Sequence, residues 1–142
     1  LVKIISGIYQ PSKGKVLYNG TGSNDIDIGS VYSDTAFLFQ NFTLFGFSLA
    51  KNVSLSDDTE HNKLESVMSE LGIDYDKLPE GTDTFMTTQY DPSGVDVSGG
   101  EAQMIAIARA LYKQADIYVA GHNFYMVCTL GTLCSVRAFF AI

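Results

Sequence analysis

The run Val97-Ser98-Gly99-Gly100-Glu101 opens directly into an apolar stretch from Ala102 to Leu111. Ser98 followed three residues later by Glu101 has capping-box spacing, in which hydroxyl and carboxylate each take up a backbone donor of the first helical turn. Gly99 and Gly100 between them remove side-chain bulk where free N–H groups and the positive end of the helix dipole emerge. Such a place favours an anion, and a phosphate above all. The plainer reading is a capping box in front of a core helix, the commoner meaning of Ser-x-x-Glu. Two consecutive glycines disfavour a helix's first turn unless something must approach closely, and that weighs towards a ligand.

Gln40 is a second candidate. It follows the apolar run Thr35-Ala36-Phe37-Leu38-Phe39, which reads as a buried strand. An amide at that position can offer an oxygen to a hard cation such as Mg2+ or hydrogen-bond elsewhere; a polar residue that merely closes the strand is the alternative. His61 falls on the polar side of a predicted helix and reads as a surface residue. Cys128 and Cys134 have neither the company for a disulfide framework nor zinc-ligand spacing, and read as free thiols.

Several elements must position these residues. Leu1 to Tyr9 reads as the end of a helix, stopped by Gly7 and then Pro11. Lys15-Val16-Leu17-Tyr18 reads as a short strand turning at Asn19-Gly20. Leu64, Val67, Met68 and Leu71 follow helical spacing, Gly72 supplies a stop, and Ser56 to Thr59 offers N-cap candidates. Pro79-Glu80-Gly81-Thr82 and Asp91-Pro92-Ser93-Gly94 read as loops. Asp116-Ile117-Tyr118-Val119 reads as a buried strand. Strand, helix and loop alternate in an α/β manner, with a helical insertion in the middle.

With 142 residues, 46% hydrophobic and 18% charged, the chain has enough apolar material for a real core. A net charge of −7 argues against a nucleic-acid partner, whose phosphates call for a basic face. A small phosphate-bearing ligand is not excluded, because backbone groups and a bound cation can hold it locally.

The stretch from Val97 through Ala108-Arg109-Ala110-Leu111-Tyr112-Lys113 resembles the signature sequence of ABC-type ATPases, with Glu101 where Gln is usual. Leu1 to Pro11 resembles the helix after the family's Walker A loop, and Gly14 to Gly20 a strand and turn of its antiparallel sheet. Phe39-Gln40-Asn41-Phe42-Thr43-Leu44-Phe45 resembles its Q-loop, and Lys51-Asn52-Val53 the helix start beyond. The resemblance is to exporter-type nucleotide-binding domains. It implies an α/β fold: a partial P-loop NTPase core with an antiparallel β portion and an inserted helical subdomain. The expected organisation is a partial domain over 1–120, with 41–95 mainly helical and 96–120 holding the signature helix and following strand, then an unmatched hydrophobic tail over 121–142.

The resemblance further implies ATP and Mg2+ as ligands, with Gln40 at the metal and Ser98, Gly99, Gly100 and Glu101 at the phosphate of an ATP held mainly by a partner domain. The implied partners are a second nucleotide-binding domain and the transmembrane domains of a transporter, which Tyr90, Asp91 and Gly94 would approach unless they form only a solvated loop. The implied location is the cytoplasmic face of a membrane.

Two expected motifs are missing from these residues. No Gly-rich loop ending in Lys-Ser/Thr occurs, and the alignment places it immediately before Leu1. After Asp116-Ile117-Tyr118-Val119-Ala120, where the family places Asp, Glu and Pro, the chain has Gly121, His122 and Asn123. Gly121 offers no ligand, and neutral His122 replaces a carboxylate poorly. The match stops so abruptly that a break in the reading frame is expected, the rival being a degenerate domain. The tail from Phe124 to Ile142 reads as out-of-frame sequence, or alternatively as a membrane anchor weakened by Arg137 and Gly131. The chain is therefore expected to lack ATPase activity of its own; a module lending only its signature loop to a partner is the alternative.

Overall fold

The computed structural model describes residues 1–39 and 43–120, together with the backbone of 138–141. Gln40, His122 and both cysteines lie outside the described residues, as does most of the tail. A short helix α1 (Val2–Ile5) leads to Gly7 at φ +73°, then to a hairpin of β1 (Leu17–Tyr18) and β2 (Thr21–Gly22). Asn19 and Gly20 both lie at positive φ, as a two-residue type I′ turn requires. Helix α2 (Ile28–Asp34) follows, capped by the Asp27 side chain, and runs straight into β3 (Thr35–Leu38).

Between β3 and the next strand lie α3 (Leu49–Ser54), α4 (His61–Glu70), two single turns of 3-10 helix (Tyr75–Lys77 and Gly81–Asp83) and α5 (Gly99–Tyr112). Strand β4 (Ile117–Ala120) then pairs in parallel with β3, Thr35 opposite Ile117 and Leu38 opposite Ala120. Parallel neighbours need a long crossover, and the helices provide it. On the other edge of β4 the chain adds β5 (Ala138–Ala141), also parallel. The part of the tail that the structure describes is thus a strand of the central sheet.

The core lies between this sheet and the helices. Leu49 and Val53 of α3, Leu64 and Met68 of α4 and Ile107 and Ala108 of α5 meet Ala36, Leu38 and Tyr118 of the sheet. Leu64 and Met68 have no exposed surface, and each such side chain contributes about 1.5–3 kcal/mol by leaving water. Helix α5 buries residues on nearly every side (Ile105, Ala106, Ile107, Ala108, Ala110, Tyr112), as a helix apolar all round must. Its alanines let it pack against α3, α4 and β3 together.

The N-cap of α4 differs from the expectation. It is Glu60, not a residue of 56–59, and its side chain makes no capping bond. The Ser54 and Thr59 hydroxyls bond each other at 2.8 Å and Ser56 Oγ takes the Asp58 N–H, so these side chains serve their own turn. The Glu60 N–H donates instead to the Tyr112 hydroxyl of α5, 2.9 Å away. His61 is exposed, as its place on the polar side implies.

Candidate functional site

Ser98 is the N-cap of α5 and forms the capping box with Glu101. The Glu101 N–H donates to Ser98 Oγ (3.3 Å), while the Ser98 N–H and hydroxyl both donate to Glu101 Oε2, at 2.8 and 2.7 Å. These bonds hold the Glu101 carboxyl below its ordinary value near 4.5, the Ser98 hydroxyl being the larger cause. Intrahelical bonding cannot reach the first-turn donors. The box satisfies those of Ser98 and Glu101, which leaves the N–H groups of Gly99 and Gly100 without a protein acceptor among the described residues. Nothing lies within 4 Å of where a Cβ would stand on either glycine. The helix therefore presents two adjacent backbone donors at its positive end, open to solvent and unshielded by side chains.

The approach to this loop is tightly built. The Val95 N–H donates to the Phe85 carbonyl (2.9 Å). The Thr88 N–H and hydroxyl reach the Asp96 carboxylate at 3.0 and 2.6 Å, holding Asp96 below the ordinary carboxylate value. Gly94 sits against backbone: a Cβ there would run into the Thr87 carbonyl and come within 2.9 Å of the Asp91 carbonyl. Asp91 folds the tip into an Asx-turn, accepting from the Ser93 N–H and hydroxyl.

Tyr90, at the tip, is 70% exposed, and its ring lies over Gly46, where a Cβ would strike it. It thereby meets the segment that leaves the Gln40 region. Phe45 and Phe47 flank Gly46, with ring centroids 6.1 Å apart and exposures of 42% and 50%. Three exposed aromatic rings thus cluster around Gly46. Sequence reasoning singled out Tyr90, Asp91 and Gly94, but not the two phenylalanines as a surface. Nor did it find Arg109, which reaches from α5 to this segment: the partners are 57 and 66 residues apart, and no short-range pattern marks such a pair. The structure describes no geometry for Gln40, and it therefore does not relate Gln40 to the Ser98–Glu101 loop.

The ABC transporter family model matches residues 1–120. The chain belongs to the ABC transporter family. Over 125 residues it is 34% identical to the nisin transport ATP-binding protein of Lactococcus lactis subsp. lactis, an alignment that covers 84% of this chain and 20% of that protein. Over 121 residues it is 29% identical to the ATP-dependent lipid A-core flippase of Burkholderia orbicola (strain AU 1054), covering 84% of this chain and 20% of the flippase. The structure superimposes with a TM-score of 0.81 on a bacterial Atm1-family ABC exporter with ATP bound, over 99% of this chain and 26% of the exporter, at 22% identity. The chain spans about a fifth of the length of the curated relatives it matches. The family's P-loop NTPase fold and the α/β architecture read from the sequence agree.

Proposed function

We propose that the chain is the signature-bearing part of an ABC exporter's nucleotide-binding domain, in which Ser98, Gly99, Gly100 and Glu101 close on the terminal phosphate of an ATP held by a second such domain. The observation that carries this reading is the pair of open N–H donors at Gly99 and Gly100 on the positive end of a 14-residue helix. Two N–H groups and the aligned dipole suit a phosphate without any side-chain cation. The relatives' names, a transport ATP-binding protein and an ATP-dependent flippase, support ATP as the nucleotide and transmembrane transport as the process.

When ATP is bound between two such domains, its hydrolysis supplies the free energy for transport. Ser98 and the glycine amides bind and orient the phosphate, and the capping box holds them in place. Among the described residues no cluster of His, Cys, Asp or Glu could hold a metal ion. In this reading Gln40 would be the ligand from this chain for Mg2+, which would neutralise charge on the nucleotide's phosphates. Residues 1–120 form the partial domain, with 41–95 its helical part and 96–120 the signature helix and strand. In this reading the exposed rings of Phe45, Phe47 and Tyr90 face the transmembrane domains of the transporter, at the cytoplasmic side of the membrane. The chain's net charge of −7 argues against a nucleic-acid partner.

The test is association with an ABC nucleotide-binding domain that carries an intact P-loop. The 142-residue chain should bind it in Mg-ATP but not without nucleotide, and should turn over no ATP alone. Gly99→Asp, which sets a carboxylate beside the open donors, should abolish binding. Equal binding without nucleotide, or an unaffected Gly99→Asp variant, would refute the proposal.

A further inference from the structure

Arg109 lies in the C-terminal half of α5, about 16 Å along the helix from Ser98 at 1.5 Å per residue. No carboxylate faces its guanidinium among the described contacts. Nε donates to the Asn52 carbonyl at 2.7 Å, Nη1 and Nη2 to the Thr43 carbonyl at 3.3 Å each, and the group stacks over the Phe45 ring 5.1 Å away. Asn52 is fully buried. Its Oδ1 accepts from the Phe45 N–H (2.9 Å), and its Nδ2 lies 3.0 to 3.1 Å from the carbonyls of Phe45, Phe47 and Ser48. One buried amide thus organises the turn that carries the exposed phenylalanines, and Arg109 holds the backbone of that amide. A polar group is kept so deep only when its partners are geometrically fixed.

The same segment is tied to α5 at its other end. The Leu49 N–H donates to the Thr84 carbonyl (2.9 Å), and the Met86 N–H to the Phe47 carbonyl (3.1 Å), around an antiparallel bridge between Ser48 and Phe85. Phe85 accepts from the Val95 N–H, and Asp96 is held by Thr88. Asp96 leads through Val97 into the Ser98 cap. Segment 43–49 is therefore a brace joined to the helix directly at Arg109 and, through 84–86 and 95–96, at its N-terminus.

We propose that Arg109 and Asn52 are positioning residues that, through this brace, set the orientation of the Ser98–Glu101 loop, so that displacement of the Phe45–Phe47 pair is carried to Ser98. The consequence for nucleotide rests on the function proposed above; the mechanical link does not. A contiguous set of bonds is a route, and coupling along it must be measured.

Amide hydrogen exchange in the 142-residue chain measures it. Arg109→Lys keeps the cation and the aliphatic stem but loses the fork that grips two carbonyls. Exchange should rise about tenfold or more at Phe45, Leu49, Met86, Val95 and Ser98, while Leu64, Val67 and Met68 in α4 stay protected. Faster exchange at Phe45 alone, with Val95 and Ser98 unchanged, would overturn the proposal; so would uniform acceleration that includes α4. Asp96→Ala opens the brace from its solvent-exposed end, where the core is not at risk. Coupling is reciprocal, so its effect should reach Met86, and a Met86 amide as protected as in the parent chain would also overturn the proposal. Neither measurement needs nucleotide or partner, so their failure is distinct from failure of the phosphate reading, which Gly99→Asp addresses.

Discussion

Glu101 is the residue at which this signature departs from the usual glutamine, and its chemistry cuts two ways. As a carboxylate it accepts from both the N–H and the hydroxyl of Ser98, which fixes the cap firmly. It also places a negative charge beside the donors proposed to meet a phosphate. Its pKa in the folded chain is lowered, so the unfolded chain binds the proton more readily. The cap's stabilising effect is therefore complete above the ordinary glutamate value and lost as pH falls through the lowered folded one. A titration followed at the Ser98 amide should show the cap opening only at pH values below 4.5; titration at the ordinary value would show that the box is not formed. Glu101→Gln keeps an acceptor for Ser98 but removes the charge. It should tighten nucleotide-dependent association several-fold, because a like charge beside the phosphate is gone. Weaker association would mean that the carboxylate itself is required.

The elements divide by the distance over which their signals act. The capping box and the Asn19-Gly20 turn were legible because all their partners lie within a few residues. Helix α2 was not, since only Val31 of Ile28–Asp34 is buried and polar Gly, Ser and Asp residues mask any apolar period. The α4 cap was misplaced because its first donor is satisfied by Tyr112, 52 residues away, and a local reading sees only the hydroxyls of 54–59. The 85–96 loop yields a prediction of its own. In Gly94→Ala the new Cβ would meet the Thr87 carbonyl, a backbone atom that cannot move aside cheaply. The variant should lose the Thr88–Asp96 closure and nucleotide-dependent association while most of the core stays folded. Leu64→Ala, at a fully buried position, should instead cost about 2–5 kcal/mol of global stability. Denaturant unfolding of the two variants would separate these effects, and equal global losses would contradict the local role given to the loop.

For the whole molecule, the parallel pairing of β3, β4 and β5 sets the frame on which α5 carries the signature loop. Family membership was legible because the signature, the hairpin strand and the Q-loop stretch occur in the expected order. The third strand was not, because its pairing joins segments far apart in sequence and Ala-Phe-Phe-Ala is equally apolar in any setting. Within these residues the loop has a helix dipole and two open donors, and the function proposed above has them meet the phosphate of a nucleotide that a second domain holds. The most direct measurement is of the backbone amide resonances of Gly99 and Gly100 in the isotopically labelled chain, mixed with an intact nucleotide-binding domain loaded with a non-hydrolysable ATP analogue or with ADP. Both resonances should shift with the ATP analogue and stay in place with ADP, since only the former offers the terminal phosphate. No shift with the analogue, or the same shift with ADP, would contradict the account.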